Sequence, residues 1–151
     1  MKKLLSLAVL VMVSSFVFSQ TTKDELKVAR DLFGMEKKEM VQNFVDLPEN
    51  NVFWTIYSDY EKARKVLGED RYDLLLEYAG NYVNYTDNRL DVILAKNIDN
   101  RKKIEKLFMK TYKKVKKECG VKTASQFYMV ERFFESSVRA TVLGNLPIVE
   151  N

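Results

Sequence analysis

The 151-residue chain has no histidine and one cysteine, Cys119. With no second thiol there is no internal disulfide, so the fold must stand on packing alone. Without imidazole, the usual zinc, copper and nickel sites cannot be assembled from one chain. Ser-His and Cys-His nucleophilic pairs are excluded for the same reason. The scattered carboxylates, as in Glu69-Asp70-x-x-Asp73, have no acid or base partner beside them and read as solubilising residues. No reaction is recognisable, and neither an enzymatic activity nor a cofactor is expected. Proline occurs twice and glycine five times, and no alternating apolar pattern of useful length suggests a strand.

What is present begins with a leader. Lys2 and Lys3 precede an apolar run from Leu4 to Val13 that extends weakly to Phe18, and Val17 with Ser19 supplies a small-residue cleavage pair before Gln20. The alternative, a retained membrane anchor, asks for about 20 apolar residues, and this run is shorter and interrupted by Ser14 and Ser15. No cysteine follows the cut, which argues against a lipoprotein. Residues 1–19 are therefore expected to be a signal peptide and 20–151 a single helical domain, periplasmic or secreted.

Without Lys2 and Lys3, the 25 basic residues fall to 23 against 21 acidic ones, so the net charge drops from +4 to +2. That charge is uneven. Residues 21–100 carry 11 basic and 16 acidic residues, whereas 101–118 carry nine basic and two acidic.

The apolar periodicity predicts an all-α fold, a four-helix arrangement built on a long antiparallel hairpin, with helices at about 23–45, 49–83, 87–118 and 123–143. Thr22 with Glu25 and Thr123 with Gln126 have capping-box spacing. Leu26, Ala29, Phe33, Met40 and Phe44 form the expected inner face of the first helix, which stops before Leu47-Pro48. Pro48 suits the first position of the second helix. On that helix Phe53, Tyr57, Tyr60, Arg64, Leu67, Arg71, Leu74 and Tyr78 keep three-four spacing, and Gly68 either kinks it or only softens it. The third helix, capped by Thr86 or Asp87, places Leu90, Leu94, Asn97, Arg101, Ile104, Phe108 and Val115 on its seam. Gly120 is expected in the left-handed position that ends it. Phe127, Glu131, Phe134, Val138 and Thr141 form the stripe of the fourth.

Charge on these seams is the unusual feature. Arg64, Arg71, Arg101 and Glu131 fall where apolar residues belong, and an unpaired charge in a bundle interior is costly. Glu131 is expected to pair with Arg64 or Arg71, helped by the hydroxyls of Tyr57, Tyr60 or Tyr78. Three readings stay open: a polar layer that fixes register, a pocket for a carboxylate or phosphate ligand, or exposure by helix rotation. Separately, Lys102, Lys106, Lys110, Lys113, Lys114 and Lys117 outline a basic contact face. The leader argues against nucleic acid as its partner, leaving a solvated face, an anionic membrane surface or an acidic client. Surplus aromatics, among them Trp54 and Phe133, either form an apolar patch or cover the flanks of the core.

The run from Phe53 to Arg64, FWTIYSDYEKAR, resembles the FWxIYxxYExxR-like start of the long helix in an uncharacterised group of secreted bacterial helical proteins. Phe127 to Glu131 matches that group's later FxxxE-like motif. Size and helical layout also resemble the Spy/CpxP type of periplasmic stress protein, a helical hairpin that binds unfolded clients. That family's LTxxQ motif is matched only in its threonine, at Thr22 and Thr86. The resemblances imply a non-enzymatic periplasmic binding protein for a protein client or envelope component. The alternative is a small-ligand sensor with a polar pocket between helices.

Overall fold

The computed structural model describes residues 37–81 and 84–143, except for the side chains of residue 81 and of 141–143. The leader, the Thr22 capping box and the inner-face positions Leu26, Ala29 and Phe33 lie outside the described residues. So does the stripe position Thr141. The chain divides into two units, Met1–Glu39 and Met40–Asn151. The contacts below belong to the second.

The protein is all-helical, with no strand among the described residues. We label its three helices α1 (residues 37–45 as described), α2 (Val52–Asn81) and α3 (Asp87–Leu143). No helix among the described residues is long and apolar enough to cross a membrane.

α1 ends at Asp46, whose φ of 47° puts it in the left-handed region and whose amide donates to the Gln42 carbonyl at 3.1 Å. Asp is one of the few non-glycine residues that tolerate this conformation. The inward face of α1 is one residue out of step with the sequence reading. Val41 and Val45 are buried, whereas Met40 and Phe44 are 40% and 49% exposed. Both pairs have the i,i+4 spacing of a helix face, so periodicity alone does not choose between them.

α2 begins later than Pro48 suggested. The Asn51 amide donates to the Pro48 carbonyl at 2.9 Å, closing a turn, and Asn51 Oδ1 then accepts from the Phe53 amide at 2.9 Å. Asn51 is therefore the N-cap. Trp54 secures this corner by donating its indole N–H to the Pro48 carbonyl at 3.0 Å. The helix runs through Gly68 without a break.

Thr86 caps α3, its Oγ1 accepting from the Arg89 amide at 3.4 Å. Gly120 interrupts α3, but not in the expected left-handed conformation. Its φ of 88° and ψ of 170° lie in a region open essentially to glycine alone. Helical turns continue on both sides, so the arm after the break starts before Thr123. Thr123 is buried inside that arm instead of capping it. Gln126, expected to complete the capping box, donates its Nε2 to the Phe44 carbonyl at 3.2 Å and so ties α3 to the end of α1.

The core lies toward one end of these helices. Val41, Val45, Phe53, Ile56, Tyr57, Tyr60, Phe108, Val115, Ala124, Phe127, Val130 and Phe134 form one buried cluster. Phe127 is at its centre, edge-on to Tyr60 with centroids 5.3 Å apart and stacked on Phe108 at 5.5 Å. Of the two surplus aromatics, Trp54 packs against this cluster, whereas Phe133 is 51% exposed.

Beyond Tyr60 no described side chain of α2 is fully buried. The seam of α3 also differs from the sequence reading before Ile104. Ile93 and Asn100 are buried, while Leu94 is 46% exposed and Arg101 is exposed. The two registers share Asn97 and Ile104, and desolvation decides between them. A neutral Asn100 amide donates inside to the Leu67 carbonyl at 2.9 Å, leaving only its Oδ1 without a partner, whereas a guanidinium there would need an anionic partner.

Candidate functional site

Glu131, 5% exposed on α3 after the break, is held by two tyrosines of α2. Tyr57 donates its hydroxyl to Oε1 at 3.1 Å and Tyr60 donates to Oε2 at 2.9 Å. Burial first, and then the Glu131 charge, push both phenols above their ordinary range, so they remain protonated donors. The expected ion pair with Arg64 or Arg71 is not formed: among the described residues neither guanidinium lies within ion-pair distance of Glu131. Hydrogen bonds from phenols to a buried carboxylate are charge-assisted and offset part of its desolvation.

The seam arginines gather elsewhere. Arg71, half-buried on α2, is held below its usual range by burial first and then by the positive charges of Arg64, Arg139 and Arg101. Arg101 and Arg139 line a cleft of about 460 Å³ between the two arms of α3, together with Lys102, Arg132, Glu135 and Ser136. Two carboxylates of this cleft are already engaged. Arg132 forks onto Glu105 at 2.9 and 2.6 Å and reaches Glu135 at 2.6 Å, and Arg139 takes the other Glu135 oxygen at 2.6 Å.

The Arg132 guanidinium also lies 4.1 Å above the Phe108 ring centroid, a cation–π contact that fastens one arm to the other. Its hydrogen bond to Glu105 raises the Arg132 pKa even against the cost of burial. For Glu135, burial alone would raise the pKa, but its bonds to Arg132 and the charge of Arg139 hold it below the usual carboxylate range. Arg64, Arg71, Arg101 and Lys102 have no carboxylate within ion-pair distance among the described residues.

Sequence reasoning missed Glu105, Arg132, Glu135 and Arg139. Part of the signal was legible, since Arg132, Glu135 and Arg139 stand at i, i+3 and i+7 on one helix face. Glu105 joins them only because α3 doubles back at Gly120.

The basic face runs along the same arm and meets the cleft at Arg101 and Lys102. All nine cationic residues between Arg101 and Lys117 are exposed. Lys103 pairs with Asp99 at 2.7 Å and Lys117 with Glu118 at 3.5 Å. Lys102, Lys106, Lys110, Lys113 and Lys114 have no ion-pair partner among the described residues.

At the far end of the α2–α3 pair, Arg89 pairs with Glu77 and the Tyr85 hydroxyl donates to the Glu77 carbonyl. A shallower cleft there, about 320 Å³, has Asp70, Asp73, Glu77 and Asp99 on its walls. No group of three metal-ligating side chains suited to an ion occurs among the described residues. Cys119 is half-buried, and burial followed by the Glu118 charge pushes its thiol up, away from the thiolate that reactivity needs. Comparison with protein-family models, curated proteins and solved structures finds nothing that matches this chain.

Proposed function

We propose that the chain is a non-enzymatic helical binding protein of the periplasm or the secreted space, taking a protein client or envelope component of acidic character on the lysine face of α3. We read its architecture as four helices on the antiparallel α2–α3 pair, with the arm after Gly120 as the fourth. The observation that carries the function is the exposed and mostly unneutralised row of lysines between Lys102 and Lys117. Crowding like charges on one helix face costs free energy in low salt, and an acidic surface laid against it recovers that cost. Exposed apolar side chains support the same reading, among them Met129 and Phe133 at 58% and 51%. They offer apolar contact to a client that the charge has drawn in.

The test is light scattering from an unfolding acidic model client with an equimolar amount of the purified chain. The expected result is a delay of aggregation in low salt that disappears at high salt and on replacing Lys106, Lys110, Lys113 and Lys114 by glutamine. No delay in low salt would contradict the chaperone-like form of the proposal.

A further inference from the structure

The cleft between the arms of α3 is a second cationic feature, built differently from the lysine face. It is concave, with a volume in the range of small-molecule sites, and its charges are guanidiniums, whose planar forks match the oxygens of phosphate and carboxylate groups. Arg101, Arg132, Arg139 and Lys102 line it beside Glu105 and Glu135, and Arg71 lies close enough to feel the charges of Arg101, Arg139 and Glu135. The wall thus carries two positive charges in excess, and Arg71 adds a third nearby. Both carboxylates are engaged by Arg132 and Arg139, so Arg101 and Lys102 have donors to spare, and Arg139 keeps the guanidinium nitrogens that Glu135 does not take.

We propose that this cleft binds a small, multiply charged oxyanion, a phosphate-type or polycarboxylate group, free or at the head of a lipid, with Arg101 and Arg139 as its principal contacts. Arg132 is a positioning residue, because its fork on Glu105 and its place over Phe108 set the distance between the arms. A singly charged anion would offset only one of the excess charges and gains correspondingly less. The site goes beyond the lysine face, with which it shares only Lys102, and is tested separately from it, since Lys106, Lys110, Lys113 and Lys114 are not part of the cleft wall.

The test is calorimetric titration of the full chain with inorganic pyrophosphate in low salt, with acetate at matched ionic strength as competitor and phosphatidylglycerol vesicles as a parallel arm. The expected result is one pyrophosphate per chain, weakened about tenfold or more in both Arg101→Gln and Arg139→Gln, and unchanged in Lys113→Gln/Lys114→Gln. Acetate should not compete. Arg101 is exposed, so its variant reports binding even if Arg139→Gln perturbs folding.

Vesicle binding that is lost in Arg101→Gln, with no binding of pyrophosphate, would identify a lipid headgroup as the source of the oxyanion. Pyrophosphate and vesicle binding both indifferent to Arg101→Gln would overturn the proposal. Loss of pyrophosphate binding only in the lysine variant, or effective competition by acetate, would overturn it as well.

Discussion

The two ends of the α2–α3 pair are held together by different means. Around Phe127, rings from α2 and both arms of α3 interlock, and the buried Glu131 carboxylate accepts from two phenols. From Leu67 to Tyr78 the side chains of α2 are at best half-buried. What joins them to α3 is the Asn100 amide, the Arg89–Glu77 pair and the Tyr85 hydroxyl. Burial of large apolar side chains contributes several kcal/mol at a site, whereas an exposed ion pair contributes less than about 1. The aromatic end should therefore carry most of the stability. The arginine cleft lies where this packing gives way to charge, and there cationic side chains can converge without being sealed inside.

The largest effect that could break this comparison is at its centre. Phe127→Ala should cost about 3–5 kcal/mol in urea unfolding. Leu74→Ala, at a half-buried position in the distal stretch, should cost about 1–1.5 by the area it hides. Equal costs would mean that the distal stretch is packed as well as the aromatic end.

Removing the carboxylate comes next. Glu131→Ala strands two buried hydroxyls and should cost about 2–3 kcal/mol, while Arg64→Gln, with no tie to Glu131, should leave the melting temperature nearly unchanged. If Arg64→Gln were as costly as Glu131→Ala, the separation of Arg64 from this carboxylate would be wrong.

The glycines sharpen the contrast through the backbone. A Cβ at Gly120 meets nothing within 4 Å, so Gly120→Ala isolates the penalty of φ 88° and should destabilise by about 2 kcal/mol. Gly80 also has open space but sits in ordinary helix, where alanine should stabilise by about 0.5–1 kcal/mol.

The smallest effect is electrostatic. Glu135 has a folded-state pKa below its unfolded value, so its contribution is present above about pH 4.3 and is lost as acid protonates the folded carboxyl. The stability difference between wild type and Glu135→Gln, measured by denaturation across pH 7 to 3, should be largest near neutrality and shrink in acid. A difference that grew in acid would reverse the sign assigned to this group.

Much of this was legible in the chain, and the misreadings have a common cause. The all-helical class, the Thr86 cap, and the buried Phe53, Tyr57, Tyr60, Phe108 and Phe127 follow from spacing and side-chain type. Where two apolar registers compete, as with Met40/Phe44 against Val41/Val45 or Leu94/Arg101 against Ile93/Asn100, periodicity is silent. The choice falls to side-chain size and to the cost of burying a guanidinium. Glu131 stands out in the sequence as the seam carboxylate, but hydroxyls of Tyr57 and Tyr60 reach it where Arg64 and Arg71 do not. The cleft depends on contacts between residues nearly thirty positions apart, Glu105 and Arg132 above all, which no local pattern carries.

Native-state hydrogen exchange measures the difference between the two ends most directly. Amides of residues 53–60 and 104–134 should exchange only by global unfolding. Those of 67–81 and 87–99 should open at a lower free energy, under conditions where the aromatic end stays closed. A single opening free energy shared by both sets would contradict the division of labour argued for this fold.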